Sequence, residues 1–188
     1  MRPGADERFQ VIYNATYQEV FAYCLRRSNL EDAKDAAADV FLVVWRRLDD
    51  IPAGAEALPW LYGTARKVLS NQRRSRSRVG NLAAKLRNET PHEPASPEAA
   101  VVRQEQDQEV LDALGKLRDS DAEVIRLAVW EELPHAAIGK VLGCSECAVT
   151  MRLHRAMKRL GRQMHRSTSH PKDVKTHALA PETEAAHD

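Results

Sequence analysis

Two groups of residues are suited to chemistry, and both fit phosphate binding better than covalent catalysis. Arg66, Ser70 and Arg73 recur at i, i+4 and i+7, with Lys67, Asn71 and Arg74 in the adjacent row. Cations at that spacing follow a nucleic-acid backbone, and Arg and Asn also read base edges. Nearer the C-terminus, Cys147, Met151, His154, Arg155 and Lys158 share one side of a helical wheel, with Thr150 and Arg152 on its flanks. Charge follows the same division. Ala57 to Asn88 holds eight Lys+Arg and no acid, and Cys147 to Lys172 holds seven and no acid. Acids gather at Glu31, Asp32, Asp35, Asp39, Asp49 and Asp50, and from Glu89 to Asp112. A net charge of +1 thus conceals two basic stripes. That is the footprint of phosphate contacts at two separated places.

Other chemistries lack their residues. The chain has no phosphate loop, dinucleotide-binding glycine fingerprint, His-Glu-x-x-His or nucleophile elbow. No acid, base and nucleophile assemble into an enzyme site, and no metal or cofactor is expected. Cys144-Ser-Glu-Cys147 has the spacing of a redox or zinc pair. Zinc needs four ligands, and His135 and His154 do not stand at a recognised spacing, so the bland reading is a small turn residue and an exposed one. Three cysteines cannot close a disulfide framework, which points to a reduced, cytoplasmic protein. The start, MRPGADERFQ, has no apolar signal core, and Val40 to Trp45 is too short to span a bilayer, so no membrane insertion is expected.

Helices must position these residues. The chain of 188 residues is 43% hydrophobic with only eight glycines, which favours an all-α fold. Phe9, Tyr13, Tyr17, Val20 and Cys24 mark a first amphipathic helix within 6–27. Asn29 caps a second, whose buried stripe is Ala33, Ala37, Val40, Val44 and Leu48. Pro59 opens a third over roughly 59–76, with Leu61, Ala65, Val68 and Leu69 inward. Three prolines within seven residues, from Pro91, then read as a flexible linker. Ser96 and Pro97 start a further helix, carried by Val101, Val110, Leu111, Leu114 and Leu117. Ser120 and Glu123 match a capping box. A helix from Pro134 to a left-handed Gly143, then a long helix capped by Ser145, form a helix-turn-helix with Val149, Leu153, Ala156 and Leu160 inward. The expected organisation is two small helical domains, 6–78 and 97–166, a flexible linker over 79–96 and a disordered tail over 167–188.

Three blocks of the chain resemble one family, the extracytoplasmic-function (ECF) sigma factors of bacterial RNA polymerase. Asp32-Ala-Lys-Asp-Ala-Ala-Ala-Asp-Val-Phe-Leu-Val-Val-Trp45 is similar to that family's region 2.2, and Pro59-Trp-Leu-Tyr-Gly-Thr-Ala-Arg-Lys-Val-Leu-Ser-Asn-Gln-Arg-Arg74 to regions 2.3 and 2.4. Leu114 to Leu160, with Ala148-Val-Thr-Met-Arg-Leu-His-Arg155, is similar to region 4. The resemblance covers about residues 8–78 and 108–165, and the short linker implies that region 3 is absent. The family pattern is departed from at Ala38 in the core-binding motif and at Lys67, Asn71, Pro134, Thr150 and Met151; the last three leave the fold intact but bear on which promoter sequence is read, and Lys67 and Met151 would contact DNA differently from the usual residues.

The resemblance implies a non-catalytic subunit that binds core RNA polymerase, through its β and β′ subunits, and directs initiation at promoter DNA. It assigns polymerase binding to Asp35, Asp39, Phe41, Leu42, Trp45 and Arg46. For Phe41 and Trp45, plain core packing is an equal alternative. The −10 element falls to Trp60, Arg66, Lys67, Asn71, Arg73 and Arg74, although a tryptophan beside a helix-starting proline is more often core. The −35 element falls to Thr150, Met151, Arg152, His154, Arg155 and Lys158. An anti-sigma factor is a further partner that the family admits. The rival readings are a helix-turn-helix regulator acting without polymerase and a helical protein-interaction module. The block at 32–47 speaks against the first and the acid-free stretches against the second.

Overall fold

A computed structural model describes residues 4–87 and 105–168. Its helices are α1 (Ala5–Leu25), α2 (Leu30–Arg46), α3 (Ala57–Arg87), α4 (Glu105–Gly115), α5 (Asp119–Val129), α6 (His135–Leu142) and α7 (Glu146–Thr168). Two single 3-10 turns, Leu48–Asp50 and Gly54–Glu56, join α2 to α3. No strand occurs among the described residues, so the all-α expectation holds.

Helices α1, α2 and α3 form the first unit. Val20 and Cys24 of α1, Ala33, Ala36, Val40 and Val44 of α2, and Leu61 and Ala65 of α3 are fully buried together. Apart from Leu61 these are small or β-branched residues, spaced at helical intervals, so the three axes can approach closely. The Asn29 side chain accepts a hydrogen bond from the Asp32 amide at 2.9 Å and caps α2 as expected. In the second unit, α5, α6 and α7 enclose Val124, Leu127, Ile138, Val149 and Ala156, and α4 adds Ala113 and Leu114. Gly143 ends α6 with φ 69°, a left-handed conformation that costs glycine nothing. The Ser145 hydroxyl accepts from the Ala148 amide at 3.3 Å at the head of α7. Gly139 is required for a reason its place in the sequence does not reveal. A Cβ there would lie 2.7 Å from the Cys144 carbonyl oxygen, so the turn of the helix-turn-helix closes only over glycine.

Two expectations need correction. Helix α3 does not stop near residue 76 but runs to Arg87, into the stretch read as linker. That stretch lacks an apolar stripe, yet Ala83, Ala84, Lys85, Leu86 and Arg87 are strong helix formers, and propensity carries the helix on. The capping box at Ser120 does not form either. Helix α5 begins at Asp119, its N-cap is Arg118, and no side chain caps it. The Glu123 carboxylate instead accepts hydrogen bonds from Tyr23 and Arg27 of the first unit. The expected start of α4 at Ser96 and Pro97, with Val101, lies outside the described residues. So do the rest of the linker from 88 and the tail from 169.

The two units pack against each other. Helix α3 lies on α6, and a Cβ on Gly63 would stand 3.8 Å from the Val141 backbone. Lys140 of α6 pairs with Glu56. A buried ionic cluster joins α1 to α5. Tyr23 donates to Glu123 at 2.7 Å, and Arg27 binds Glu123 at 2.9 Å and Glu131 at 2.7 Å. Arg26 also reaches Glu131, at 3.1 Å. The Glu131 side chain is 0% exposed and that of Arg27 7%, so water cannot screen these charges.

Candidate functional site: an exposed stripe on α2 and two basic faces

The stripe on α2 opposite the buried one carries Asp35, Ala38, Asp39, Leu42, Trp45 and Arg46, all exposed. The spacing i, i+3/i+4, i+7 and i+10/i+11 sets them in one line along the helix. Leu42 is 52% exposed and Trp45 46%, although both are large and apolar. The Trp45 ring meets Phe9 edge-on, with centroids 5.3 Å apart, which holds the indole in place without covering it. Phe41 differs. It is 5% exposed and packs against Phe9, Tyr13 and Tyr17, so its place is in the unit's own core. Phe41 thus takes the core-packing alternative, while Trp45 stays exposed. Asp39 also accepts a hydrogen bond from Gln72 of α3 at 3.3 Å.

On α3, Arg66, Lys67, Asn71, Arg73 and Arg74 are all exposed, on the face away from Leu61 and Ala65. Arg73 pairs with Asp119 of the second unit at 2.7 Å, and Arg76 with Asp32 of α2. Trp60 is half-buried and packs against the core, with the Arg47 guanidinium 5.8 Å above its ring. Its packing agrees with the core alternative.

On α7, Thr150, Met151, His154, Arg155 and Lys158 are exposed, and Arg152 is half-buried toward α3. Met151, 53% exposed, puts a thioether in the middle of this polar face. The Thr150 hydroxyl donates to the Glu146 carbonyl at 3.1 Å. His135 Nδ1 lies 2.9 Å from the Thr150 Oγ1, within hydrogen-bond distance. His135 therefore ties the first residue of α6 to the exposed polar face of α7. That link was missed, and the fifteen-residue separation carries no periodic signal for it.

The cysteines divide by burial. Cys24 is buried and its thiol is pushed up to about 11 by burial, an effect that the Arg27 charge only partly offsets. Cys144 is half-buried and Cys147 exposed. Among the described residues, no cluster of three His, Cys, Asp or Glu could hold a metal. A maleimide added to the native protein at pH 7 should label Cys147 first, Cys144 more slowly and Cys24 only after denaturation, because the thiolate is the nucleophile. Mass spectrometry of the labelled peptides measures this, and early labelling of Cys24 would contradict the burial.

Both units have relatives. Residues 12–79 match Sigma-70 region 2, and residues 107–160 match Sigma-70, region 4. The RNA polymerase sigma factor YlaC of Bacillus subtilis is 30% identical over 158 residues, which are 83% of this chain and 91% of that protein. The ECF RNA polymerase sigma factor SigW of the same organism is 23% identical over 87% of this chain and 92% of that one. Among solved structures, the sigma factor RpoE of Bartonella quintana, in complex with the anti-sigma factor NepR, superposes with a TM-score of 0.67 at 20% identity over 84% of this chain and 96% of that chain. CnrH, in complex with the cytosolic domain of CnrY, gives 0.57 at 21% identity over 84% and 88%. The chain belongs to the sigma-70 family of RNA polymerase sigma factors, in its ECF branch. Proteins of that family are non-enzymatic subunits that direct RNA polymerase to promoters. Among the described residues no helix is long and apolar enough to cross a membrane.

Proposed function

We propose that the exposed stripe of α2 docks on core RNA polymerase while the two basic faces hold the two halves of a promoter. The observation that carries this reading is the stripe itself, where Leu42 and Trp45 stay open to solvent between Asp35, Asp39 and Arg46. An apolar centre with a charged rim is the anatomy of a protein interface. A regulator that only bound DNA would have no use for it. The domain from 6 to 78 engages polymerase and the −10 element, and the domain from 97 to 166 engages the −35 element. Arg66, Lys67, Arg73 and Arg74 run along the −10 backbone, and Asn71 supplies a directional hydrogen bond to an exposed base edge. Arg152, Arg155 and Lys158 clamp the −35 duplex while Thr150, Met151 and His154 face its bases. Trp60, partly covered by its own unit, backs the −10 face and stacks on a base only after that unit moves. An anti-sigma factor, the kind of partner that holds RpoE of Bartonella quintana, suits the same exposed surfaces. Work of this kind is done in the cytoplasm.

The test is run-off transcription with bacterial core RNA polymerase on a fragmented genomic DNA pool, mapping every RNA 5′ end. Starts that share a two-part upstream motif at constant spacing are expected. DNA binding by the free protein without any new start specificity would transfer the reading to a polymerase-independent regulator. Binding through the −35 face should weaken with salt, with a log–log slope of roughly −0.9 for each phosphate neutralised.

A further inference from the structure

The two units do not close completely. Between α3 on one side and α5 and α7 on the other lies a cleft of about 800 Å³. That is the size of a small-molecule site. Eight Lys and Arg side chains line it against three acids, Asp32, Asp119 and Glu123. Each acid is already committed, Asp32 to Arg76, Asp119 to Arg73 and Glu123 to Arg27. Arg66, Lys67, Arg74, Arg126 and Arg152 remain, with no acid of the described residues paired to them.

Arg126 is the informative member. Its Nε atom is buried and has no hydrogen-bond partner among the described residues. Burial first, then the neighbouring Arg27 charge, hold its guanidinium below its ordinary value, an effect that the Glu123, Asp119 and Glu131 carboxylates only partly offset. Arg126 is half-buried as a whole, and a partly desolvated guanidinium beside a second cation gains from a further anion in direct contact. The cleft has little to offer an aromatic ring. Tyr23 is stacked on Tyr62 at 4.8 Å, and the Arg27 guanidinium lies 3.5 Å over its ring, so both faces are taken.

We propose that this cleft binds a short polyphosphate chain, free or carried on a nucleotide, which bridges Arg66, Lys67 and Arg74 of α3 to Arg126 of α5 and Arg152 of α7. Its five unpaired cations match a linear anion of several charges, because guanidinium forks each engage two phosphate oxygens. The bridge exists only while the units are packed together, so occupancy stabilises the packed form. Three of these cations also belong to the proposed −10 face, so an occupied cleft and a bound −10 strand exclude each other. The inference rests on the packing of the units and stands whether or not the promoter reading does.

The test is calorimetric titration of the full-length protein in magnesium-free buffer at fixed ionic strength, with tripolyphosphate, ATP and citrate. Tripolyphosphate should bind at least ~10-fold more tightly than citrate and raise the melting temperature. ATP binding as tightly as tripolyphosphate assigns recognition to the phosphate chain alone, and tighter binding assigns part of it to the nucleoside. Arg126→Gln should weaken tripolyphosphate binding about tenfold, and Asp119→Asn should strengthen it several-fold by removing a competing acid. Asp119 is 86% exposed, so the second variant leaves the fold intact even if the first does not. Equal affinity for citrate, or an Asp119→Asn variant that binds no better than the parent, would overturn the site. Run-off transcription reports on the promoter reading separately, since it needs no tripolyphosphate.

Discussion

Replacing Leu42 by aspartate will cut affinity for core RNA polymerase at least ~100-fold, about 2.7 kcal/mol, and leave the protein folded. Leu42 is 52% exposed and its neighbours in the stripe are exposed too, so the substitution creates no cavity and strands no buried charge. The effect falls on the interface. An aspartate there carries a charge into the part of the surface that an incoming partner must dry. Trp45→Ala should follow the same direction, with an added stability cost of about 1 kcal/mol because the indole also meets Phe9 edge-on. Gel filtration of the mixture with core polymerase measures the first quantity, and thermal melting of the free protein the second. If Leu42→Asp co-elutes with polymerase as the parent does, the stripe is not the docking surface and the polymerase-independent regulator becomes the better reading.

Truncation of Glu131 is the second large effect. Glu131→Ala removes the acid that Arg26 pairs with among the described residues and one of the two that hold Arg27. Breaking a buried pair by deleting one partner costs about 3–5 kcal/mol, because a desolvated charge is left behind. Arg27 feels this strongly. Burial alone would push its guanidinium down, and Tyr23, Glu123 and Glu131 together hold it above its ordinary value. The loss is local to the contact between the units, since neither partner belongs to either unit's apolar core. Two consequences follow. The variant should melt at lower temperature, and small-angle scattering should show a larger radius of gyration as the units part. Arg73, freed from Asp119 by the same opening, then becomes available to DNA, so binding of promoter fragments by the free protein should rise. Unchanged melting and an unchanged radius would mean that the contact between α3 and α6 holds the units together without the ionic cluster.

The helices themselves were legible because each one buries a face. The stripes Val20–Cys24, Ala33–Val40–Val44, Leu61–Ala65 and Val149–Ala156–Leu160 are all buried as their periods require. The caps at Asn29 and Ser145 and the left-handed Gly143 were legible because capping chemistry is local. The two basic faces were legible because an acid-free stretch cannot be neutralised along its own helix. Local rules also mark where reading stopped. Periodicity ended α3 too early, since residues after 76 extend the helix by propensity and not by a buried stripe. The Ser120–Glu123 spacing satisfied the capping rule, yet Glu123 bonds to Tyr23 and Arg27, which stand 100 and 96 residues away and are invisible to any local rule.

What the sequence determined by itself was the all-α fold, the family, and the basic faces of α3 and α7, proposed above to meet nucleic acid. Each of these depends on residue type and on spacing within one helix. The tertiary structure alone decided which aromatic of α2 is core and which stays exposed, because α1 covers Phe41 with Phe9, Tyr13 and Tyr17 and meets Trp45 with Phe9. It alone decided that the two units pack together through Tyr23, Arg26, Arg27, Glu123 and Glu131. The physical reason is separation. Those partners stand 96 to 105 residues apart, and a charge on one helix carries no local sign of the opposite charge that will neutralise it.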